Sequence, residues 1–261
     1  MIRTDAYHTL TDTSDYHLLA IDYRGFGKST GVPSESGLIQ DGIAAVNWAR
    51  DIAGIPSHRI VIMGQSLGTA VTSAVAEHFA MQGIEFAGVI LIAGFSDMQT
   101  LLTTYMGAGV IPILSPIRAI PPLLRFFQRF IVDKWRSADR LANLVSTTRD
   151  RLRLTLIHAK NDRNILCHES DTLFRYAAGA AAGEDLNNEK FVSWKEERTK
   201  RKDDGSFVSI VTAKPDIVIR QELLRYGGHN DIMLSSHIAL AVLRSFESVA
   251  EEPLTQPPET A

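Results

Sequence analysis

Short apolar runs alternate with helical patterns along the first two thirds of the chain. Near-continuous apolar runs rich in branched side chains are typical of strands that are covered on both faces of a sheet. Four such runs occupy residues 17–23, 59–63, 88–93 and 152–158. Between them, helical patterns follow Ser34, with apolar Ile39, Ile43 and Val46, and occupy residues 70–80. This alternation of strand and helix predicts a mostly parallel α/β sheet with helices on both faces.

Residues 98–141 interrupt the alternation and predict an inserted helical cap. The segment is rich in Leu, Ile, Met and Phe and contains several prolines. Within it, residues 123–135 carry apolar side chains at helical spacing and two arginines on the opposite face, which predicts an amphipathic helix. A helix packed on the sheet and a lipid-facing lid fit this pattern equally well. Contact with a membrane surface through residues 121–135 is therefore one expectation.

A second interruption, residues 184–216, carries a dense run of charges followed by turn-forming residues. The sequence Asp-Asp-Gly-Ser at 203–206 precedes the apolar run 207–211, and this arrangement predicts an exposed hairpin. The remaining residues, 1–97 and 142–250, are assigned to the core of the fold, into which the hairpin is inserted.

The composition indicates one folded domain. Of 261 residues 45% are hydrophobic, which is enough for a sizeable core, whereas the proline-containing end, 251–261, is expected to be disordered. The 27 basic and 30 acidic residues give a net charge of −3, so nothing favours nucleic acid as a partner. The single cysteine, Cys167, excludes an internal disulfide and is expected to be a buried, inert thiol.

Neither a secretory signal nor a membrane-spanning helix is expected. Residues 1–5 lack the basic and then apolar order of a secretory peptide. The most apolar long stretch, 107–132, is interrupted by four prolines and three arginines, which a helix in lipid tolerates poorly. No metal or cofactor is expected either.

The sequence Gly-Gln-Ser-Leu-Gly at 64–68 carries the strongest chemical signal. It follows the predicted strand 59–63 and precedes a predicted helix. Glycines two positions before and two after Ser66 permit the tight turn that lifts a serine hydroxyl above a sheet. In that turn the backbone N–H of Leu67 faces a developing oxyanion. We therefore predict that Ser66 is a catalytic nucleophile and that Leu67 contributes to an oxyanion hole.

A serine nucleophile needs a base, and His229 is the predicted one among eight histidines. It follows the predicted strand 217–224 and lies in the glycine-containing loop 227–230. Such a loop leaves the imidazole free to reach Ser66. The order serine, acid, histidine along the chain is also satisfied.

The third member of such a triad is a carboxylate close behind a strand. Asp162 lies four residues beyond His158 at the end of the predicted strand, and His158 itself is interpreted as structural. Asp97, which follows the predicted strand 88–93, is the alternative acid. Asp162 also fits a simpler role as a helix-capping residue.

These motifs resemble the α/β-hydrolase superfamily over residues 4–249. The resemblance rests on the segment Asp-Tyr-Arg-Gly-Phe-Gly-Lys-Ser at 22–29 together with Gly-Gln-Ser-Leu-Gly, His-Ala-Lys-Asn-Asp and Gly-Gly-His. Within the superfamily the sequence is similar to the monoacylglycerol and lysophosphatidylserine lipases of the ABHD type. The resemblance implies Ser66, Asp162 and His229 as a catalytic triad, a glycerolipid or lysophospholipid ester as substrate, and a location inside the cell or at an internal membrane such as the endoplasmic reticulum.

Two departures from the resembled family are visible. A His-Gly loop that contributes a second oxyanion donor precedes the strand matching 17–23 in that family, and no such motif precedes Tyr7. The third strand of the family, which would lie between 17–23 and 59–63 in the sheet, is missing as well. The resemblance therefore implies a chain that is incomplete at its N-terminal side. In addition, no proline follows Asp162, where the family often has one.

Three functions are compatible with the sequence. The first is hydrolysis of a carboxylic ester through an acyl-enzyme formed on Ser66. The second is cleavage of a thioester on an acylated protein, which needs the same triad. The third is a binding or interaction protein with this fold and impaired catalysis. Labelling by a fluorophosphonate separates the enzymes from the binding protein.

Overall fold

The computed structural model describes residues 7–247 with the exception of 9, 13, 105, 108–110, 113–130 and 185. The side chains of residues 102–104, 106–107 and 111–112 are not described.

The described part of the chain contains one six-stranded sheet in the order β1-β2-β5-β8-β7-β6. The first four strands are parallel and the last three are joined by antiparallel pairing. The strands are β1 (Val61–Gln65), β2 (Gly88–Ile92), β5 (Arg151–Ala159), β6 (Lys200–Lys202), β7 (Gly205–Thr212) and β8 (Asp216–Leu224). Two further short strands, β3 (Met106–Gly107) and β4 (Ile111–Pro112), pair with each other. The prediction of a mostly parallel sheet is confirmed.

Helices cover both faces of this sheet. The described residues include the α-helices α1 (Glu35–Asn47), α2 (Leu67–Ala80), α3 (Met98–Thr104), α4 (Ser137–Thr147), α5 (His168–Ala182), α6 (Asn188–Arg198) and α7 (Ser236–Phe246). Strand β2 shows why both faces are needed, because its successive side chains point in opposite directions. Val89 and Leu91 pack in a core with α2, α4 and α5, whereas Ile90 and Ile92 pack against α7. All five residues of β2 are buried.

Parallel pairing places the carboxyl ends of β1, β2, β5 and β8 at one edge of the sheet. In open α/β sheets this edge is where ligands bind. Ser66 follows β1 directly, Asp162 follows β5 by three residues, and His229 follows β8 by five. The topology therefore collects the three predicted triad residues at the same end of the sheet, although Ser66 and His229 are 163 positions apart along the chain.

The predicted strand at 17–23 is wrong. None of these residues belongs to a strand, and the side chains of Leu19 and Ile21 are 53% and 39% exposed. A strand needs a neighbour to take up its backbone N–H and C=O groups. Within the described residues β1 pairs only with β2, so no strand is present beside which 17–23 could form one. The loop that follows is held instead by the guanidinium of Arg24, which donates to Asp41 of α1.

The two predicted insertions are described to different extents. Residues 113–130 of the cap lie outside the described residues, and so does most of the predicted amphipathic helix. Its described end, 131–135, is not helical: Trp135 has a φ of 48° and donates its N–H to Glu35. The hairpin is present as β6 and β7, and β7 also pairs with β8 in the main sheet. Helix α6, which precedes the hairpin, has no counterpart among the predicted elements.

Candidate active site

Ser66 occupies a strained turn between β1 and α2. Its backbone has a φ of 54° and a ψ of −122°, a conformation that costs a residue with a side chain about 1 to 3 kcal/mol. The surrounding contacts hold the turn in place. The N–H of Ser66 donates to the carbonyl of Ile92 over 3.0 Å, and the carbonyl of Ser66 accepts the N–H and the hydroxyl of Thr69. The serine is therefore fixed both to the neighbouring strand and to the first turn of α2.

Gly64 and Gly68 contribute differently to this turn. A Cβ on Gly64 would lie 2.2 Å from the carbonyl oxygen of Gly68 and 2.5 Å from the hydroxyl of Thr72. Helix α2 thus approaches β1 so closely that only glycine fits at position 64. A Cβ on Gly68 would meet no atom within 4 Å. The first glycine of the motif is therefore explained by the close approach of α2 to β1. Neither glycine has a positive φ.

Leu67 is the first residue of α2, and its N–H has no acceptor among the described residues. The first N–H groups of a helix have no partner within the helix. They also lie at the positive end of the helix dipole. A developing oxyanion beside Ser66 would therefore meet a free donor and a favourable electrostatic potential.

Asp162 uses its two carboxylate oxygens for two different tasks. Oδ1 accepts the N–H groups of Asn164 and Ile165 over 2.8 and 3.1 Å, which fixes the carboxylate in its loop. Oδ2 lies 2.7 Å from Nδ1 of His229. Asp162 thus holds a local turn and contacts the distant histidine at the same time. The predicted helix-capping role is wrong, because α5 begins at His168 and follows Cys167, whereas Asn164 and Ile165 belong to no helix.

A second histidine, His158, contacts the carboxylate of Asp162. Nε2 of His158 is 3.4 Å from Oδ2 of Asp162 and 2.9 Å from the carbonyl oxygen of Ile165. The side chain of His158 is completely buried. It therefore packs behind Asp162 and connects the acid to the loop that follows it.

Burial raises the pKa of Asp162, but hydrogen bonds outweigh this effect. The side chains of His158 and His229 and the N–H of Ile165 all stabilise the charged form, so the net pKa lies well below the usual range of an aspartate. Asp162 is consequently ionised at neutral pH. An ionised carboxylate can only accept hydrogen bonds, and Nδ1 of His229 is therefore assigned as the donor.

Asp97 serves a different purpose. Its Oδ1 accepts the N–H of Thr100 and its Oδ2 accepts the hydroxyl of the same residue, both over 2.8 Å. Asp97 precedes α3, so this is the geometry of an N-terminal helix cap. The geometry thus separates the two candidate acids, since His229 contacts Asp162 and Asp97 caps a helix.

His229 lies in a loop that is connected to both neighbouring loops of the site. The N–H of Gly228 donates to Oδ1 of Asn161 over 2.9 Å, and Nε2 of Gln65 donates to the carbonyl oxygen of His229 over 2.7 Å. Ser66 Oγ forms no hydrogen bond with His229 in the described part of the chain. In enzymes without substrate this bond is often long and tightens only when substrate is bound.

Gln65, Asn161 and His158 are the site residues that the sequence reasoning did not assign to the site. Gln65 and Asn161 each stand immediately before a predicted triad residue, but adjacency in sequence does not reveal where a side chain points. The described residues contain no group of three or more His, Cys, Asp or Glu side chains that could hold a metal ion. Ser66, the imidazole of His229 and the carboxylate of Asp162 lie at the same edge of the sheet.

A family model confirms the fold that this geometry suggests. The model of the Alpha/beta hydrolase family matches residues 5–237. The chain belongs to this family. Its elbow after β1, its acid after β5 and its histidine after β8 occur in the order expected for the family.

The chain matches curated relatives over only part of each relative's length. Protein ABHD12B of Homo sapiens is 30% identical over 171 residues, which is 63% of the chain and 42% of that protein. The uncharacterized protein YfhR of Escherichia coli K12 is 32% identical over 142 residues, 50% of the chain and 48% of that protein. The lysophosphatidylserine lipase ABHD12 of Xenopus tropicalis is 27% identical over 179 residues, 68% of the chain and 43% of that protein. The chain thus spans less than half the length of these relatives.

Solved structures share the fold of this α/β hydrolase at low identity. An alpha-beta hydrolase from Vibrio vulnificus has a TM-score of 0.62 and 18% identity, covering 94% of the chain and 68% of that structure. The Pyrococcus furiosus esterase Pf2001 has a TM-score of 0.55 and 14% identity, covering 92% of the chain and 73% of that structure.

Among the helices described for the chain, none is both long and apolar enough to cross a membrane.

Proposed function

We propose that the chain is a serine hydrolase that cleaves carboxylic esters through an acyl-enzyme on Ser66. The observation that carries this proposal is the 2.7 Å contact between Asp162 and His229 at the sheet edge where the strained Ser66 turn lies. With Nδ1 of His229 donating to an ionised Asp162, Nε2 keeps a lone pair that can accept the serine proton. This arrangement supports Ser66 as the nucleophile, His229 as the base and Asp162 as the orienting acid.

The proposed reaction has two stages. In the first, Ser66 Oγ attacks the acyl carbonyl while its proton passes to Nε2 of His229, and the Leu67 N–H stabilises the oxyanion. The tetrahedral intermediate collapses, the bond to the alcohol breaks, and the alcohol leaves with the proton from His229. In the second, water attacks the acyl-enzyme with His229 as base, which releases the carboxylic acid and restores the Ser66 hydroxyl. Asp162 remains ionised throughout and stabilises the imidazolium.

The proposed substrates are glycerolipid or lysophospholipid esters. Support comes from the lysophosphatidylserine lipase ABHD12, to which the chain is 27% identical over 68% of its length. Residues 137–141 of the predicted cap belong to α4, which packs on the sheet. The apolar side chains among the residues before them, 98–136, would shelter the acyl chain. The predicted membrane-surface contact through 121–135 stays a prediction, because residues 121–130 lie outside the described part of the chain.

A fluorophosphonate probe tests the serine hydrolase directly, because it reacts with an activated serine regardless of the substrate. We expect the wild-type chain to be labelled and the Ser66→Ala variant to be unlabelled. Ser73→Ala is the matched control, since Ser73 lies in the same helix, α2, and its hydroxyl donates to the carbonyl of Thr69. A folded wild-type chain that resists the probe would instead support the binding or interaction protein.

Substrate class is tested on the labelled chain with three acyl donors. Monoacylglycerol, lysophosphatidylserine and an acyl thioester of the same acyl length separate the proposed lipid hydrolase from a thioesterase. We expect the two oxygen esters to be hydrolysed with higher kcat/KM than the thioester. The opposite order would assign the chain to thioester cleavage with the same triad.

A further inference from the structure

Two side chains from different parts of the chain hydrogen-bond the backbone of the His229 loop. Asn161 accepts the N–H of Gly228 through Oδ1 over 2.9 Å. Gln65 donates through Nε2 to the carbonyl oxygen of His229 over 2.7 Å. The two bonds therefore act on the peptide between Gly227 and Gly228 and on the peptide between His229 and Asn230, so they fix the backbone on both sides of the Gly228–His229 pair.

These two residues connect the loop to the other members of the triad. Gln65 is the last residue of β1 and directly precedes Ser66, and Asn161 directly precedes Asp162. A movement of the loop away from β1 would lengthen the Gln65 bond, and a movement away from the loop after β5 would lengthen the Asn161 bond. The two bonds thus fix the position of the imidazole relative to both the nucleophile and the acid.

The loop needs such bonds because its own backbone is permissive. Gly227 and Gly228 have φ values of 132° and 52°, in a region that glycine enters as readily as any other. Residues 225–230 belong to no helix or strand, and the short helix Asp231–Leu234 begins only after them. Without external bonds, a loop of this kind samples several positions for the imidazole.

We propose that Gln65 and Asn161 are positioning residues that together fix the His229 backbone for proton transfer from Ser66. This inference rests on the proposed serine hydrolase and adds a role for two residues whose side chains hydrogen-bond the His229 loop. Misplacing a catalytic group by about 1 Å reduces a rate by about a hundredfold. The clamp formed by Gln65 and Asn161 therefore acts on kcat rather than on substrate binding.

Three variants and one control test the clamp. Gln65→Met has nearly the same size as the wild-type residue but cannot donate, and Asn161→Leu removes the acceptor. Asn161→Asp keeps an acceptor oxygen at the same place and serves as the conservative rescue. Gln221→Met is the control, because buried Gln221 donates to Ser170 and Asp171, so its loss affects stability without reaching the His229 loop.

The measurements are kcat and KM on p-nitrophenyl butyrate, the fluorophosphonate labelling rate, and the proton NMR signal of the His229 Nδ1–H. We expect Gln65→Met and Asn161→Leu to lower kcat and the labelling rate by about tenfold to a hundredfold with little change in KM. Their Nδ1–H signal should broaden or disappear. Asn161→Asp should retain the signal and most of the rate, and Gln221→Met should resemble the wild type in both after its fold has been verified by denaturation.

The outcomes separate the clamp from the proposed function. If folded Gln65→Met and Asn161→Leu keep the wild-type kcat and a sharp Nδ1–H signal, the clamp is overturned while the hydrolase stands. A wild-type chain that neither hydrolyses the ester nor accepts the probe overturns the hydrolase. In that case the NMR comparison still decides the clamp, because it reports the position of His229 independently of activity.

Discussion

Asp162 and His229 are joined by a 2.7 Å hydrogen bond, although 66 residues lie between them in the chain. The bond is possible because β5 and β8 are neighbouring parallel strands in register from Arg151 and Asp216 to Ala159 and Leu224. Both strands therefore end side by side, and the loops that leave them meet. Asp97, the alternative acid, lies in the loop after β2, and its side chain caps α3.

Replacing each acid by its amide distinguishes their roles. We expect Asp162→Asn to lower kcat by about ten-thousandfold, because an amide in place of the carboxylate favours the wrong imidazole tautomer. Asp97→Asn should leave kcat within about twofold, since asparagine caps helices as well as aspartate does. Steady-state hydrolysis of p-nitrophenyl butyrate measures both variants. An equal loss of kcat in the two would show that Asp97 takes part in catalysis.

The low pKa of Asp162 makes a prediction about stability and pH. Folding lowers this pKa below its value of about 3.9 in the unfolded chain, so the ionised form stabilises the fold. This contribution is fully present above pH 4 and is lost as the pH falls toward the lower pKa of the folded state. For a carboxylate of this kind it amounts to about 2 to 3 kcal/mol.

Urea denaturation of the wild type and Asp162→Asn between pH 7 and pH 2 measures this contribution. We expect the difference in the free energy of unfolding to be constant down to about pH 4 and to shrink below it. The comparison cancels the other carboxylates, such as Asp41, whose pKa is also lowered through its hydrogen bonds with Arg24. A difference that stays constant down to pH 2 would show that His158 and His229 do not stabilise the charged form.

The sequence predicts those parts of the site that local patterns determine. The turn at Ser66 is recognisable because a strand, two glycines and a helix are contiguous, and the order of the triad along the chain then leads to Asp162 and His229. The predicted strand at 17–23 shows the limit of such patterns. Its apolar residues suit a strand, but a strand also requires a hydrogen-bonding neighbour, and pairing is a property of the whole sheet.

The contacts of Gln65 and Asn161 could not be predicted for a related reason. Gln65 reaches a carbonyl 164 positions further along the chain, and nothing in its neighbourhood specifies that partner. His158 is similar, because its position at the end of a strand is visible in the sequence and its contact with Asp162 is not. Roles that depend on side-chain direction across separate loops need the assembled sheet.

The two glycines of the serine turn should respond differently to substitution. Gly64→Ala would force its Cβ against the backbone of Gly68, so we expect a destabilised chain without fluorophosphonate labelling. Gly68→Ala meets no atom within 4 Å and lies in the first turn of α2, where alanine is the better helix former by up to about 1 kcal/mol. Denaturation and labelling of both variants check this. Equal damage from the two substitutions would contradict the close approach seen at Gly64.

The backbone of Ser66 has a further consequence for stability. Its φ of 54° is unfavourable for serine and alanine but not for glycine. The free energy of unfolding of Ser66→Gly should therefore exceed that of Ser66→Ala by about 1 kcal/mol or more. Equal stability of the two variants, measured by urea denaturation, would show that the turn is unstrained. Because the same φ is unfavourable for serine, Ser66→Gly should also be more stable than the wild type, and a screen for thermal stability alone would then enrich a chain that has lost its nucleophile. Heat resistance and the ability to form an acyl-enzyme would then be opposed at this single position.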